Sequence, residues 1–123
     1  MLPVPTIAIV DDDGGVRDGM SSLARSLGYV AFTYASAEAF LEEDRNADPS
    51  CMIADVQMPS MSGIELQAHL NAAGRLFPII FMTAFPSDAV REKLMSAGGF
   101  RFLAKPSTGD EIISSIEAAV AFS

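Results

Sequence analysis

Six residues could do chemistry together: Asp11, Asp12 and Asp13 in "IAIVDDDGG", Asp55 in "IADVQMP", Thr83 in "FMTAF" and Lys105 in "FLAKP". An apolar run that leads straight into three aspartates poses an electrostatic problem. Crowded carboxylates repel one another, and burying them is costly unless a cation or donor compensates. Carboxylates with open coordination positions suit a hard cation such as Mg2+, which takes oxygen ligands and keeps several waters. Such an ion offsets the repulsion and can neutralise charge on a phosphoryl group in transfer. The ammonium of Lys105 and the hydroxyl of Thr83 could then bind the remaining phosphoryl oxygens, which leaves Asp55 as the nucleophile of an aspartyl phosphate. Singly, each string has a plainer explanation: a solvated acidic turn, a turn former before "QMP", a threonine capping a helix, a lysine ending a strand. Their joint placement in a fold decides between the two readings.

The elements that must position them alternate along the chain. "TIAIV" (6–10), "CMIA" (51–54) and "IIFM" (79–82) are almost wholly apolar, as strands buried on both faces should be. "YVAFTY" (29–34) and "FRFL" (100–103) mix in polar residues, which suits edge strands. Helical faces intervene: Val16, Met20, Leu23 and Leu27; Ala37, Phe40 and Leu41; Leu66, Leu70 and Ala73; Val90, Leu94 and Ala97; Ile112, Ile116, Ala119 and Val120. Gly28, Gly74 and Gly98-Gly99 stand where helices should stop. Thr108 with Glu111 is a capping-box signature, and "DRNADPS" (44–50) reads as a polar loop. Five strands strictly alternating with five helices imply right-handed βαβ units. The expected fold is α/β: a doubly wound five-stranded parallel sheet of flavodoxin-like (βα)5 form, order 2-1-3-4-5. In such sheets ligands bind beyond the carboxyl ends of the strands, at the switch point beside strands 1 and 3. The reactive residues fall at those ends.

Composition narrows the function classes. At 123 residues, half hydrophobic and a fifth charged, the chain reads as one globular domain with a real core. A net charge of −8 argues against direct binding of nucleic-acid phosphates. Cys51 is the only cysteine, so an intrachain disulfide and a cysteine metal cage are excluded, and its neighbours predict a buried thiol. "MLPVPTIAIV" lacks the pattern of a signal peptide, and no apolar stretch reaches membrane-span length. The expectation is a cytoplasmic protein without a membrane partner. His69, the one histidine, reads as a surface residue. Gly14-Gly15 is not part of a G-x-x-x-x-G-K-[ST] nucleotide loop.

The strings "VDDD", "DVQMPSMSG", "TA" and "KP", in order and across the whole chain, resemble the receiver domain of two-component response regulators, the CheY-like family. "MPSMSGIEL" is most similar to receivers of FixJ/NarL-type transcriptional regulators. The resemblance implies that Asp55 is the phosphoacceptor and that Mg2+ is the cofactor. Asp12 and Asp55 would contact the ion directly, Asp11 largely through water, and the backbone carbonyl of Gln57 would be a further ligand. Asp13 fills a commonly acidic third position outside the direct ligands. Thr83 and Lys105 would contact the phosphoryl group, and Phe102, three residues before the lysine, matches the switch aromatic. Further implications are a sensor histidine kinase as phosphodonor, docking near helix 1, and a phosphorylation-dependent change of the helix 4, strand 5 and helix 5 surface. That surface would control an output such as transcription or form a homodimer.

Some positions depart from the pattern. Ser107 follows Lys105-Pro106 where an aromatic is frequent, which predicts looser packing between that loop and helix 5. Gly14-Gly15 replaces more polar residues after the acidic pair and predicts a more mobile loop. Gln57 and Phe85 lie two residues beyond Asp55 and Thr83, where side chains govern water access to the phosphoryl group, and Phe85 cannot activate water. The expectation for residues 1–123 is a single receiver domain with no output domain in this chain. The domain would catalyse its own phosphorylation and dephosphorylation without being a turnover enzyme. The alternatives are a phosphorylation-independent pseudo-receiver that only binds partners, and a phosphohydrolase. Gln57 stands where the latter would want a second aspartate.

Overall fold

Alternate residues of the central strands face opposite ways and divide the core in two. The computed structural model describes residues 3–43 and 48–122. Its elements are β1 (Thr6–Val10), α1 (Gly14–Ser26), β2 (Val30–Tyr34), α2 (Ala37–Glu42), β3 (Cys51–Asp55), α3 (Gly63–Ala72), β4 (Ile79–Thr83), α4 (Asp88–Ser96), β5 (Arg101–Ala104) and α5 (Gly109–Phe122). The strands form one parallel sheet in the order β2-β1-β3-β4-β5, as the alternation predicts. Ala8, Val10, Met52, Ala54, Ile79 and Phe81 pack against Phe40, Leu66, Leu70 and Leu94, so α2, α3 and α4 cover one face. Ile7, Ile9, Cys51, Ile53, Ile80 and Met82 pack against Met20, Ala24, Ile112, Ile116 and Ala119, so α1 and α5 cover the other. Every residue of β3 and β4 is buried, which is why their sequences carry no alternation. Cys51 is a free, buried thiol whose pKa burial pushes up to about 12.

Local chemistry fixes the helix ends that face the site. Asp13 caps α1, accepting from the backbone N–H groups of Gly15 at 2.8 Å and Val16 at 3.3 Å. Gly14 and Gly15 therefore belong to the first turn of a capped helix, not to the mobile loop their composition predicts. Ser62 and Glu65 form a reciprocal capping box at the start of α3. Ser87 caps α4, and Thr108 accepts from Glu111 N–H at 3.1 Å before α5.

Several boundaries differ from expectation. Tyr29 stays outside β2 because its N–H closes the end of α1 on Ala24 O. β5 runs one residue later than "FRFL", pairing Ala104 with Thr83 and delivering Lys105 N–H to Thr83 O at 2.8 Å. Ala73 and Ala97 are exposed caps rather than core-facing helical residues. Gly98 ends α4 with φ +104°, whereas Gly99 is required by contact: a Cβ there would lie 2.8 Å from Leu94 O. Of the loop expected at 44–50, residues 44–47 lie outside the described residues.

Candidate functional site

The register of β1, β3, β4 and β5 brings the predicted reactive residues to one rim. Asp11 prolongs β1, its N–H bonding Tyr34 O at 3.1 Å, and its carboxylate is buried. Asp55 closes β3 and is likewise buried, while Asp12 is exposed beside them. Carboxylate oxygens of Asp11, Asp12 and Asp55 all lie within 4.8 Å of one another. Lys105 reaches over from the loop after β5, its Nζ 2.8 Å from Asp11 Oδ2 and 3.4 Å from Asp55 Oδ2. Asp13 turns away to cap α1, and the guanidinium of Arg17 donates to Asp11 O at 2.7 Å.

One ammonium does not fully balance this cluster. Burial raises the Asp55 pKa above its ordinary value; Lys105 draws it back down, and the charge of Asp11 raises it again. Lys105 shows the converse balance. Burial alone would lower its pKa, but the hydrogen bond and charge of Asp11, with those of Asp55, raise it. Close oxygen donors with residual negative charge fit a hard divalent cation. Asp11, Asp12 and Asp55 are thus residues that could hold one.

Thr83 closes β4 fully buried, and its hydroxyl is engaged twice. It donates to Gln57 Oε1 and accepts from Phe85 N–H at 3.0 Å. The Gln57 N–H in turn lies 3.3 Å from Asp55 Oδ1. The Phe85 side chain is 73% exposed, so it stands in solvent next to the rim. Phe102 is half-buried against the α2–α3–α4 core and lines a shallow depression with Pro86, Ser87 and Arg91 at the start of α4. Ser107 donates to Ala104 O at 2.6 Å across the cis Lys105-Pro106 bond. Beside it an apolar groove opens between α1 and α5, lined by Met20, Leu23 and Ile112. His69 is exposed in the last turn of α3.

Several participants carry no reactive signature in the sequence. Gly63 is one: a Cβ there would sit 2.6 Å from Asp55 O, so its bare backbone lets α3 start under the phosphoacceptor candidate. "SGIE" does contain the capping-box spacing that marks this helix start. Arg17 becomes a participant only through tertiary geometry, as does the bond that Thr83 gives to the Gln57 side chain, a position expected only to govern water access.

A parallel sheet with carboxylates, a hydroxyl and an ammonium gathered at its carboxyl rim defines a class, and the chain belongs to it: it is a member of the response regulator receiver domain family, whose model matches residues 7–117. Among curated relatives, response regulator protein TodT of Pseudomonas putida is 37% identical over 114 residues, covering 93% of this chain and 50% of TodT. Transcriptional regulatory protein FixJ of Bradyrhizobium diazoefficiens is 33% identical over 114 residues, covering 93% of this chain and 56% of FixJ. The chain thus spans about half the length of these relatives. Among solved structures, response regulator StyR superposes with TM-score 0.90 at 38% identity, over 98% of this chain and 61% of StyR. FixJ-N gives TM-score 0.86 at 31% identity, over 98% of this chain and 96% of FixJ-N. The likeness to FixJ-type receivers drawn from "MPSMSGIEL" agrees with these matches. Among the described residues no helix is long and apolar enough to cross a membrane.

Proposed function

We propose that residues 1–123 act as one receiver domain that accepts a phosphoryl group on Asp55 from a histidine kinase in a Mg2+-dependent reaction. The observation that carries this reading is the convergence of the Asp11, Asp12 and Asp55 carboxylates under the Lys105 ammonium. Asp12 and Asp55 would hold the ion directly, Asp11 largely through water, with the Gln57 carbonyl as a further ligand. The bound ion supplies charge neutralisation for phosphoryl transfer.

The chain's own residues do the rest. An Asp55 carboxylate oxygen forms the new O–P bond while the P–N bond of the donor phosphohistidine breaks and the imidazole leaves. Lys105 counters the cost of keeping Asp55 ionised and already sits where it can turn to a phosphoryl oxygen. The Thr83 hydroxyl reaches the same group by rotating about its side chain. Its departure from Gln57 would leave room for half-buried Phe102 to move in from the sheet edge. The result is a population shift in the α4–β5–α5 surface, which would form a homodimer or control an output such as transcription. The same reading makes the domain the catalyst of its own phosphorylation and dephosphorylation, and places it in the cytoplasm. With a net charge of −8, this chain would not itself bind nucleic acid. Phe85 cannot activate water, so the aspartyl phosphate should be long-lived, and Phe85→Glu should hasten its loss. Equal lifetimes in the two proteins would contradict that point.

Intact mass spectrometry after incubation with Mg2+ and acetyl phosphate tests the proposal. One added phosphoryl group is expected, absent from Asp55→Asn and from a Mg2+-free sample. A mass increase that survives either control would overturn it.

A further inference from the structure

The Gln57 side chain does something that the role of its carbonyl does not require. A threonine hydroxyl has one proton to give, and Thr83 gives it to Gln57 Oε1. The oxygen of the same hydroxyl is held by Phe85 N–H at 3.0 Å, so the group is committed as donor and as acceptor. On the reading of Thr83 under Proposed function, on which this inference rests, a phosphoryl oxygen on Asp55 must take that proton. It has to displace Gln57 to do so.

We propose that the Gln57 side chain is a latch on Thr83: it holds the hydroxyl against its own Oε1 in the resting chain and sets how readily a phosphoryl group on Asp55 captures it. The two partners are unequal in a way that suits a latch. Thr83 is fully buried and must exchange one acceptor for another, whereas Gln57 is exposed, so water can replace the contact it loses. Gln57 N–H lies against Asp55 Oδ1 at 3.3 Å, so one residue touches the phosphoacceptor with its main chain and the switch hydroxyl with its side chain. Gln57 is a positioning residue here, acting through Thr83.

Gln57→Met keeps the length of the side chain and removes its strong acceptor. The probe is beryllofluoride, a phosphoryl mimic, titrated at saturating Mg2+ into four proteins: parent, Gln57→Met, Thr83→Val and the double variant. Opening the latch should tighten binding by roughly threefold to tenfold in Gln57→Met, the range set by one net hydrogen bond. Between Thr83→Val and the double variant the affinity should not change. In metal-free samples, the Thr83 hydroxyl proton observed by NMR should exchange with solvent faster in Gln57→Met than in the parent. Unchanged affinity or unchanged exchange in Gln57→Met overturns the latch alone. So does an equal gain in the Thr83→Val background, which would assign the effect to metal or water access. No saturable binding by the parent overturns the latch and the phosphoacceptor reading together.

Discussion

At the amino ends of the strands the chain closes on itself with hydrogen bonds, aromatic contacts and one matched ion pair. Thr6 and Ser50 exchange hydrogen bonds of 2.8 and 3.2 Å, the Phe100 ring meets Phe122 at a tilt with centroids 5.4 Å apart, and Phe40 meets Phe77 at 6.4 Å. The guanidinium of Arg75 covers the Phe40 ring at 5.2 Å and bonds Asp48 at 2.8 Å. At the carboxyl ends of the same strands, Asp11 and Asp55 are buried beside each other with one ammonium between them. One rim satisfies its groups internally. The other leaves Asp55 with a raised pKa, the mark of a charge the fold does not fully compensate. Matched contacts thus lie at one end of the sheet and incompletely compensated charge at the other, which is the end that could gain from a cation.

Substitutions at the two ends should differ in kind as well as size. The largest effect is expected from Phe40→Ala, which empties a site 3% exposed and lined by Tyr34 and Phe77. It should cost about 3–5 kcal/mol in urea unfolding while the folded fraction keeps its phosphorylation rate. Gly63→Ala should cost less, about 1–3 kcal/mol, because its Cβ would press on Asp55 O. Unlike Phe40→Ala, it should also slow phosphorylation of the folded fraction.

The third prediction has the opposite sign. Asp55→Asn removes the poorly compensated charge and should raise the Tm of the metal-free protein at neutral pH by roughly a few degrees. The sign follows from proton linkage. Because the folded pKa of Asp55 is raised, between its ordinary value and the raised one the native chain holds a proton that the unfolded chain has already lost. Stability from this group is therefore full below the ordinary carboxylate value of 3.8 and is lost as pH rises through the raised one. The advantage of Asp55→Asn should grow over that interval and vanish below it, as thermal melts across pH will show. The smallest effect belongs to Asp48→Asn, which breaks the exposed pair with Arg75. It should change stability by less than about 1 kcal/mol and fade with added salt.

The sheet order was legible because its signals are local. Apolar runs marked the buried strands, 3.6-residue faces marked the helices between them, and the carboxyl-end rule placed Asp11, Asp55, Thr83 and Lys105 together. The one-residue shift of β5 was not legible, since pairing of Ala104 with Thr83 is a tertiary choice. Asp13 reads in the string as an acidic residue outside the direct ligands, and only the backbone geometry of the turn shows what it does there: it accepts from the N–H groups of Gly15 and Val16. The acidic string therefore divides between two tasks, Asp11 and Asp12 at the rim and Asp13 at a helix end. The grip of Gln57 on Thr83 joins residues 26 apart and has no signature in either string.

The central claim is that Asp55 alone, among the crowded carboxylates, becomes the acyl phosphate. Treating the Mg2+- and acetyl-phosphate-loaded protein with borohydride converts an aspartyl phosphate to homoserine, and tandem mass spectrometry of its peptides locates that residue. Homoserine at position 55 and nowhere else is the predicted result. Homoserine at Asp11, Asp12 or Asp13, or at no position in a protein that has gained a phosphoryl group, would contradict the account.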